Sequence, residues 1–241
     1  MILNFAYLYI SEYENHQDKI DFFEQLKKSI ELLKSHTINP IIHVYHAPND
    51  TEIQEYCMVN GYIAKPISYH RPFTGLIKIL VEKIFILLDF PDDQEVVLLD
   101  VDTAFKTHVD DSTWGTIPIL WSAEYYITQF RNLDKILPFL PWYEVDINFD
   151  TSYIMYNTGV VYIPKSDRKE VCRKALWIVD RLNDGKDPEF RYGNKLDEQI
   201  GLSIAICDRY LFKEGIFICN QIIDHFWEAK AKGERWWEHF G

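Results

Sequence analysis

The sequence predicts an α/β fold: one domain on a mostly parallel sheet flanked by helices. Two observations carry this. Apolar spacing alternates between strand-like and helix-like in the order strand–helix–strand–helix–helix–strand, which implies βαβ units. Val96-Val97-Leu98-Leu99 is a continuous apolar run that reads as a strand buried on both faces. No Gly-, Pro- or Ser-rich linker divides the 241 residues, and no internal repeat is visible.

Residues 2–10 read as the first strand, rich in Tyr, Phe and Ile. Ile20, Phe23, Leu26, Ile30 and Leu33 recur at helical spacing, and Asn39-Pro40 ends that helix. Residues 41–45 return to strand. Residues 51–60 form a short helix with Gly61 placed to close it. Leu76, Ile77, Leu80, Ile84 and Leu87 give one apolar face to a helix over 74–88, and the central strand follows. The second half is less regular. Strands are expected at 117–121, 153–163 (interrupted by Asn157-Thr158-Gly159) and 216–219. Helices are expected at 168–182 and 195–206, with an irregular excursion at 133–150.

The central strand runs straight into Asp100-Val101-Asp102. A buried carboxylate is costly unless its charge is compensated, and two of them raise each other's pKa. A divalent cation removes both costs. The two acids sit two positions apart on one face of an extended chain, roughly 6–7 Å apart at Cα. They also lie at the carboxyl end of a parallel strand, where ligands gather. An Asx turn capped by Asp102 is the alternative.

Composition narrows the function. Hydrophobic residues make up 47% of the chain, enough for a sizeable core. The formal net charge of −12 argues against non-specific nucleic-acid binding, which needs Lys and Arg. Cys57, Cys172, Cys207 and Cys219 have neither CxxC pairing nor zinc-like spacing, and read as reduced core thiols. No transmembrane segment is expected. The N-terminal residues have no signal-peptide pattern, so a cytoplasmic location is expected.

An N-terminal βα unit, an apolar strand ending in Asp-x-Asp, a strand carrying Asn-Thr-Gly and a helix opening Asp-Glu-Gln occur in this order. The set resembles the GT-A (Rossmann-like) glycosyltransferases that use nucleotide-diphosphate sugars. It is most similar to the glycogenin and galactosyltransferase-like branch and to collagen-type sugar transferases. The resemblance runs from about residue 3 to about residue 230. It implies a single GT-A domain over 1–241, with a nucleotide-binding half over about 1–105 and an acceptor-facing half over about 106–241.

Asp100 and Asp102 match the family's metal and nucleotide motif, so the resemblance implies Mn²⁺ or Mg²⁺ as cofactor. Ala6 and Tyr7 on the first strand, with Lys83 one helix upstream of the acids, would flank the base and phosphates. Asn157, Thr158 and Gly159 match the segment lining the donor pocket, and Trp121-Ser122-Ala123-Glu124 looks like the Ser-Ala-Glu segment of collagen-type transferases. Ser122 and Glu124 would then line the donor or acceptor site. Asp197, Glu198 and Gln199 match an acidic motif beside the reacting sugar, with Asp197 and Glu198 as candidate catalytic residues. An ordinary helix start, where acids suit the dipole, is the alternative for these.

The chain departs from the family near its end. His225-Phe226-Trp227, then Lys230, Lys232 and Gly233, stand where relatives carry a His, a Gly and a Lys-Pro-Trp segment. His225 is therefore a candidate third metal ligand. The implied partners are a nucleotide-diphosphate sugar donor, with uracil the expected base, and a glycan, glycoprotein or other hydroxyl acceptor. Inversion would need a carboxylate base, for which Asp197, Glu198, Glu124 and Asp150 are candidates; retention would not. A sugar-1-phosphate nucleotidyltransferase is the alternative enzyme, though Ser11-Glu12-Tyr13-Glu14 is acidic and lacks the Gly-rich loop that chemistry needs. A non-catalytic nucleotide-sugar-binding relative is the remaining alternative. The intact acid pair weighs against it.

Overall fold

The computed structural model describes residues 3–10, 16–68, 80–110, 112–126, 154–183, 197–210, 215–226 and 235–240, with side chains undescribed at 16–21, 123–126 and 154. Within them, strands β1 (Leu3–Tyr9), β2 (Ile41–His46), β3 (Ile63–Pro66), β4 (Glu95–Leu99), β6 (Ile119–Tyr126), β7 (Ile154–Tyr162) and β8 (Phe217–Ile218) form one sheet. The strand order is β3-β2-β1-β4-β7-β6-β8. The β1–β2, β2–β3, β1–β4 and β6–β8 pairs are parallel, and only β7 runs against its neighbours. A second, two-stranded sheet pairs β5 (Thr103–Phe105) with β9 (Ile223–His225).

Helices cover both faces, and the strands alternate accordingly. Phe5 and Tyr7 of β1 and Val97 and Leu99 of β4 pack with Leu26, Ile30 and Leu33 of α1 (His16–His36) and Ile53 and Cys57 of α2 (Thr51–Asn60). Ala6, Val96 and Leu98 face α3 (Glu82–Asp89), α4 (Lys165–Leu182) and α5 (Asp197–Tyr210). All five residues of β4 are buried, the four of its apolar run together with Glu95. All four cysteines are free and buried.

Local chemistry explains the boundaries. The Asp50 carboxylate accepts from Ile53 N at the start of α2, and Gly61, at φ 71°, closes it with its N–H on Cys57 and Met58 carbonyls. Arg168 of α4 is fully buried and donates to the carbonyls of Phe90, Pro91 and Gln94, locking the α3–β4 connection onto α4. Glu95 reaches across to accept from Lys165 N at the start of α4.

Three strands fall outside the sequence expectation: β3, β5 and β9 are three or four residues long and ambiguous in local pattern. β7 is continuous through Asn157-Thr158-Gly159, and the irregular register lies opposite, on β6 around Trp121 and Glu124. The expected excursion at 133–150 and the start of the 74–88 helix lie outside the described residues. Among the described residues, no helix is long and apolar enough to cross a membrane.

Candidate functional site

β4 sits at the centre of the seven-stranded order, beside β1, where the chain reverses the direction in which it adds strands. The crevice outside the carboxyl ends at such a point is where open α/β sheets bind ligands. Asp100 to Asp102 turn there. The turn's main chain is held on three sides. Asp100 N–H donates to Gly159 O at 2.8 Å, Thr103 Oγ1 donates to Asp100 O at 2.8 Å, and Phe226 N–H donates to Asp102 O at 2.8 Å.

The small β5–β9 sheet completes the site. Its register sets Thr103 opposite His225, which carries the imidazole to the acids. His225 Nε2 lies 3.5 Å from Asp100 Oδ2 and 3.1 Å from Asp102 Oδ1. One ligand atom from each of the three residues falls within 4.8 Å of the others. Trp121 braces the ring from the side. Its indole N–H donates to Ile223 O at 2.9 Å, and its ring meets the imidazole edge-on at 5.2 Å between centroids. Sequence reasoning singled out the residues after Trp121 but gave Trp121 itself no such role, and nothing in its local pattern points to one.

Lys83, on the first turn of α3, reaches the same place from below. Its Nζ is 2.5 Å from Asp100 Oδ1, and the side chain is buried. Burial pulls the Lys83 ammonium down, but Asp100 and Glu198 outweigh it and hold its pKa above the ordinary range. Burial pushes Asp100 up, and Lys83 and His225 more than reverse that, leaving it below the usual carboxylate range. Burial lowers His225, yet the two aspartates raise it to about 9. A quarter of the Asp100 side chain stays open, so the site can be approached from outside.

The other expected residues sort into groups. Gly159 lies against His225, and its N–H donates to Asn157 Oδ1 at 2.8 Å. Asn157 and Thr158 are buried beside it, and Asn157 faces Ser122 across the β6–β7 pair. At the start of α5 the two acids part company. Asp197 is buried and accepts from Asn183 at the end of α4 at 3.0 Å. Glu198 is buried in the field of Lys83 and Asp100. Burial raises its carboxyl to about 7, Lys83 opposing and Asp100 reinforcing the shift. Its Oε1 has no hydrogen-bond partner among the described residues.

Two expected residues are buried in the core. Ala6 is fully buried toward α3 to α5, and the Tyr7 phenol is buried against α1, bonded to Ser29 at 3.1 Å. Gln199 is half-buried. Glu124 lies on β6, but its side chain is outside the described residues, as is Asp150.

No protein-family model matches this chain, and no curated protein matches it by sequence. A structural match exists with an active-site variant of LgtC, a GT-A glycosyltransferase, at a TM-score of 0.54. The match covers 89% of this chain and 72% of that one, at 13% identity. The chain has the GT-A fold. Within that GT-A frame the donor set fits a divalent cation: two carboxylates and an imidazole converge at one strand end, already neutralised in part by Lys83. Carboxylate oxygens suit Mg²⁺ and Mn²⁺ alike.

Proposed function

We propose that this protein is a metal-dependent glycosyltransferase, moving a sugar from a nucleotide diphosphate, most simply a UDP-sugar, to a hydroxyl of a glycan, glycoprotein or related acceptor. The convergence of Asp100, Asp102 and His225 at the carboxyl end of the central strand carries the reading, and the GT-A fold supports it. In this reading residues 1–105 form the nucleotide-binding half and 106–241 the acceptor-facing half, which lends His225 back to the donor site.

Asp102 and His225 would hold the cation with the Oδ2 side of Asp100. When bound, such a cation neutralises the charge that gathers on a departing nucleotide diphosphate. The protein's own groups do the rest. Lys83 fixes Asp100 through Oδ1 and keeps its carboxylate ionised. Nε2 of His225 faces both aspartates, so a cation held there would compete with a proton on that nitrogen. Gly159 leaves the room the imidazole fills. Glu198, poised near neutrality and without a partner on Oε1, is the acid of α5 suited to exchanging a proton or meeting charge that develops at the sugar. Asp197 is the alternative.

The test is a panel of nucleotide sugars with Mn²⁺, followed by release of the nucleotide diphosphate and by thermal shift. One donor should be hydrolysed or transferred and should raise the melting temperature only with the cation present. Asp102→Ala should remove both effects and leave the fold intact. Undiminished binding of nucleotide diphosphate in Asp102→Ala would refute the metal reading. Pyrophosphate release from a nucleoside triphosphate and a sugar phosphate would identify a nucleotidyltransferase instead.

A further inference from the structure

Asp100 carries a carboxylate to the candidate cation site, and its carbonyl points the other way, into the core. There it is the end of a chain of hydroxyls. Thr103 Oγ1 lies 2.8 Å from Asp100 O, Ser29 Oγ lies 3.2 Å from Thr103 Oγ1, and Tyr7 OH lies 3.1 Å from Ser29 Oγ. The three residues come from β5, α1 and β1, and all three are fully buried.

The direction of this chain is fixed by chemistry. A carbonyl only accepts, so the single proton of Thr103 goes to Asp100 O. Thr103 must then accept from Ser29, and Ser29 from Tyr7. Burial pushes the Tyr7 phenol well above the ordinary tyrosine range, so it remains a neutral donor at every working pH. Buried hydrogen bonds in series polarise one another in one sense.

We infer that Tyr7, Ser29 and Thr103 form a one-way hydroxyl chain that positions the Asp100–Asp102 turn for its cation, an inference that rests on the metal-dependent reading above. The chain ends on the peptide unit joining Asp100 to Val101, and that peptide's orientation sets where the two carboxylates point. Metal–ligand distances tolerate about ±0.2 Å. The turn's main chain is held by three hydrogen bonds, from Thr103 to the Asp100 carbonyl, from the Asp100 amide to Gly159 and from Phe226 to the Asp102 carbonyl, so losing the first removes one of three restraints on where the carboxylates point. Tyr7, which the sequence suggests as a direct nucleotide contact, acts in this scheme through two other residues as a positioning group.

Mn²⁺ affinity in the presence of UDP, read by electron paramagnetic resonance of the free ion, tests this on the wild type, Thr103→Val, Thr103→Ser and Tyr7→Phe, with melting curves for each. Thr103→Val should weaken Mn²⁺ binding about 10–100-fold, the range seen when groups supporting metal ligands are removed. Thr103→Ser restores the hydroxyl and should restore affinity to within a few-fold. Tyr7→Phe removes only the terminal donor and should give a smaller loss in the same direction; it stands in if the valine variant fails to fold. A lowered melting temperature with wild-type Mn²⁺ affinity in Tyr7→Phe and Thr103→Val would reduce the chain to a structural feature and overturn the inference alone. Absence of Mn²⁺ binding in the wild type would overturn it together with the reading on which it rests.

Discussion

The imidazole of His225 occupies the space that a side chain at position 159 would need: a β-carbon added to Gly159 would overlap Nδ1, Cε1 and Cγ of the ring. The same glycine accepts the Asp100 amide through its carbonyl. One residue on β7 therefore seats both the acid turn and the histidine that faces it. The glycine is required here for close approach of another group and not for a left-handed backbone.

Gly159→Ala should displace His225 from the acids. Forcing a methyl into packed space costs about 1–3 kcal/mol, and Mn²⁺ affinity should fall with it. In a His225→Ala background the same change should cost far less, because the clashing ring is gone. A double-mutant cycle by thermal or denaturant unfolding measures this coupling. Equal costs in both backgrounds would show that the overlap is relieved by other means.

The acid pair was legible because a fully apolar strand cannot end in two carboxylates without a reason, and the helices because their apolar residues recur at 3.6. His225 could be flagged only through family order, since the pairing that delivers it uses the three-residue strands β5 and β9. The reversed direction of β7 was invisible, because alternation records which face a residue takes and not which way its strand runs. Lys83 could be expected near the phosphates only through family order; its burial against Asp100 depends on tertiary packing. Ser29 and Thr103 are small polar residues of common type, and only distances reveal that they form a chain.

Gly201 is a second glycine fixed by approach. A β-carbon there would lie 2.7 Å from Val179 Cγ2 and 2.8 Å from the Ala175 carbonyl oxygen. The carbonyl belongs to helix backbone and cannot turn aside, so α4 and α5 would have to separate. Gly201→Ala should therefore destabilise the protein by about 1–3 kcal/mol despite the better helix propensity of alanine. Because α5 also carries Glu198, the surviving folded protein should lose activity. An unchanged denaturant midpoint would show that the two helices slide apart freely.

Removing Lys83 should be partly repaired by a metal. Lys83→Met leaves the Asp100 carboxylate without its nearest cation, a change that costs about 3–5 kcal/mol for a fully buried pair and less here, where Asp100 is partly open. His225 supplies some of the missing charge. Added Mn²⁺ should supply more, so saturating metal should raise the melting temperature further in Lys83→Met than in the wild type. An equal rise in both proteins would mean that Lys83 and the cation do not share the same carboxylate.

Glu198 should make stability and activity respond to pH in opposite senses. Its carboxyl stands at about 7 in the folded protein against an ordinary value of 4.5. Between those two pH values the folded chain keeps a proton that the unfolded chain has released. Unfolding free energy therefore falls as pH rises through this window, and the loss is complete above pH 7. The shift corresponds to at most about 3 kcal/mol. Glu198→Gln cannot ionise, so its melting temperature should exceed that of the wild type at pH 8 and converge with it near pH 4. If the ionised carboxylate serves the transfer reaction, wild-type kcat should climb through pH 7 while stability declines, and the glutamine variant should be the more stable and the less active protein at pH 8. Such opposition is expected of a buried group kept for function at the expense of the fold. A glutamine variant with the wild-type pH–stability curve would show that this carboxyl titrates normally, and near-normal turnover would pass the role to Asp197.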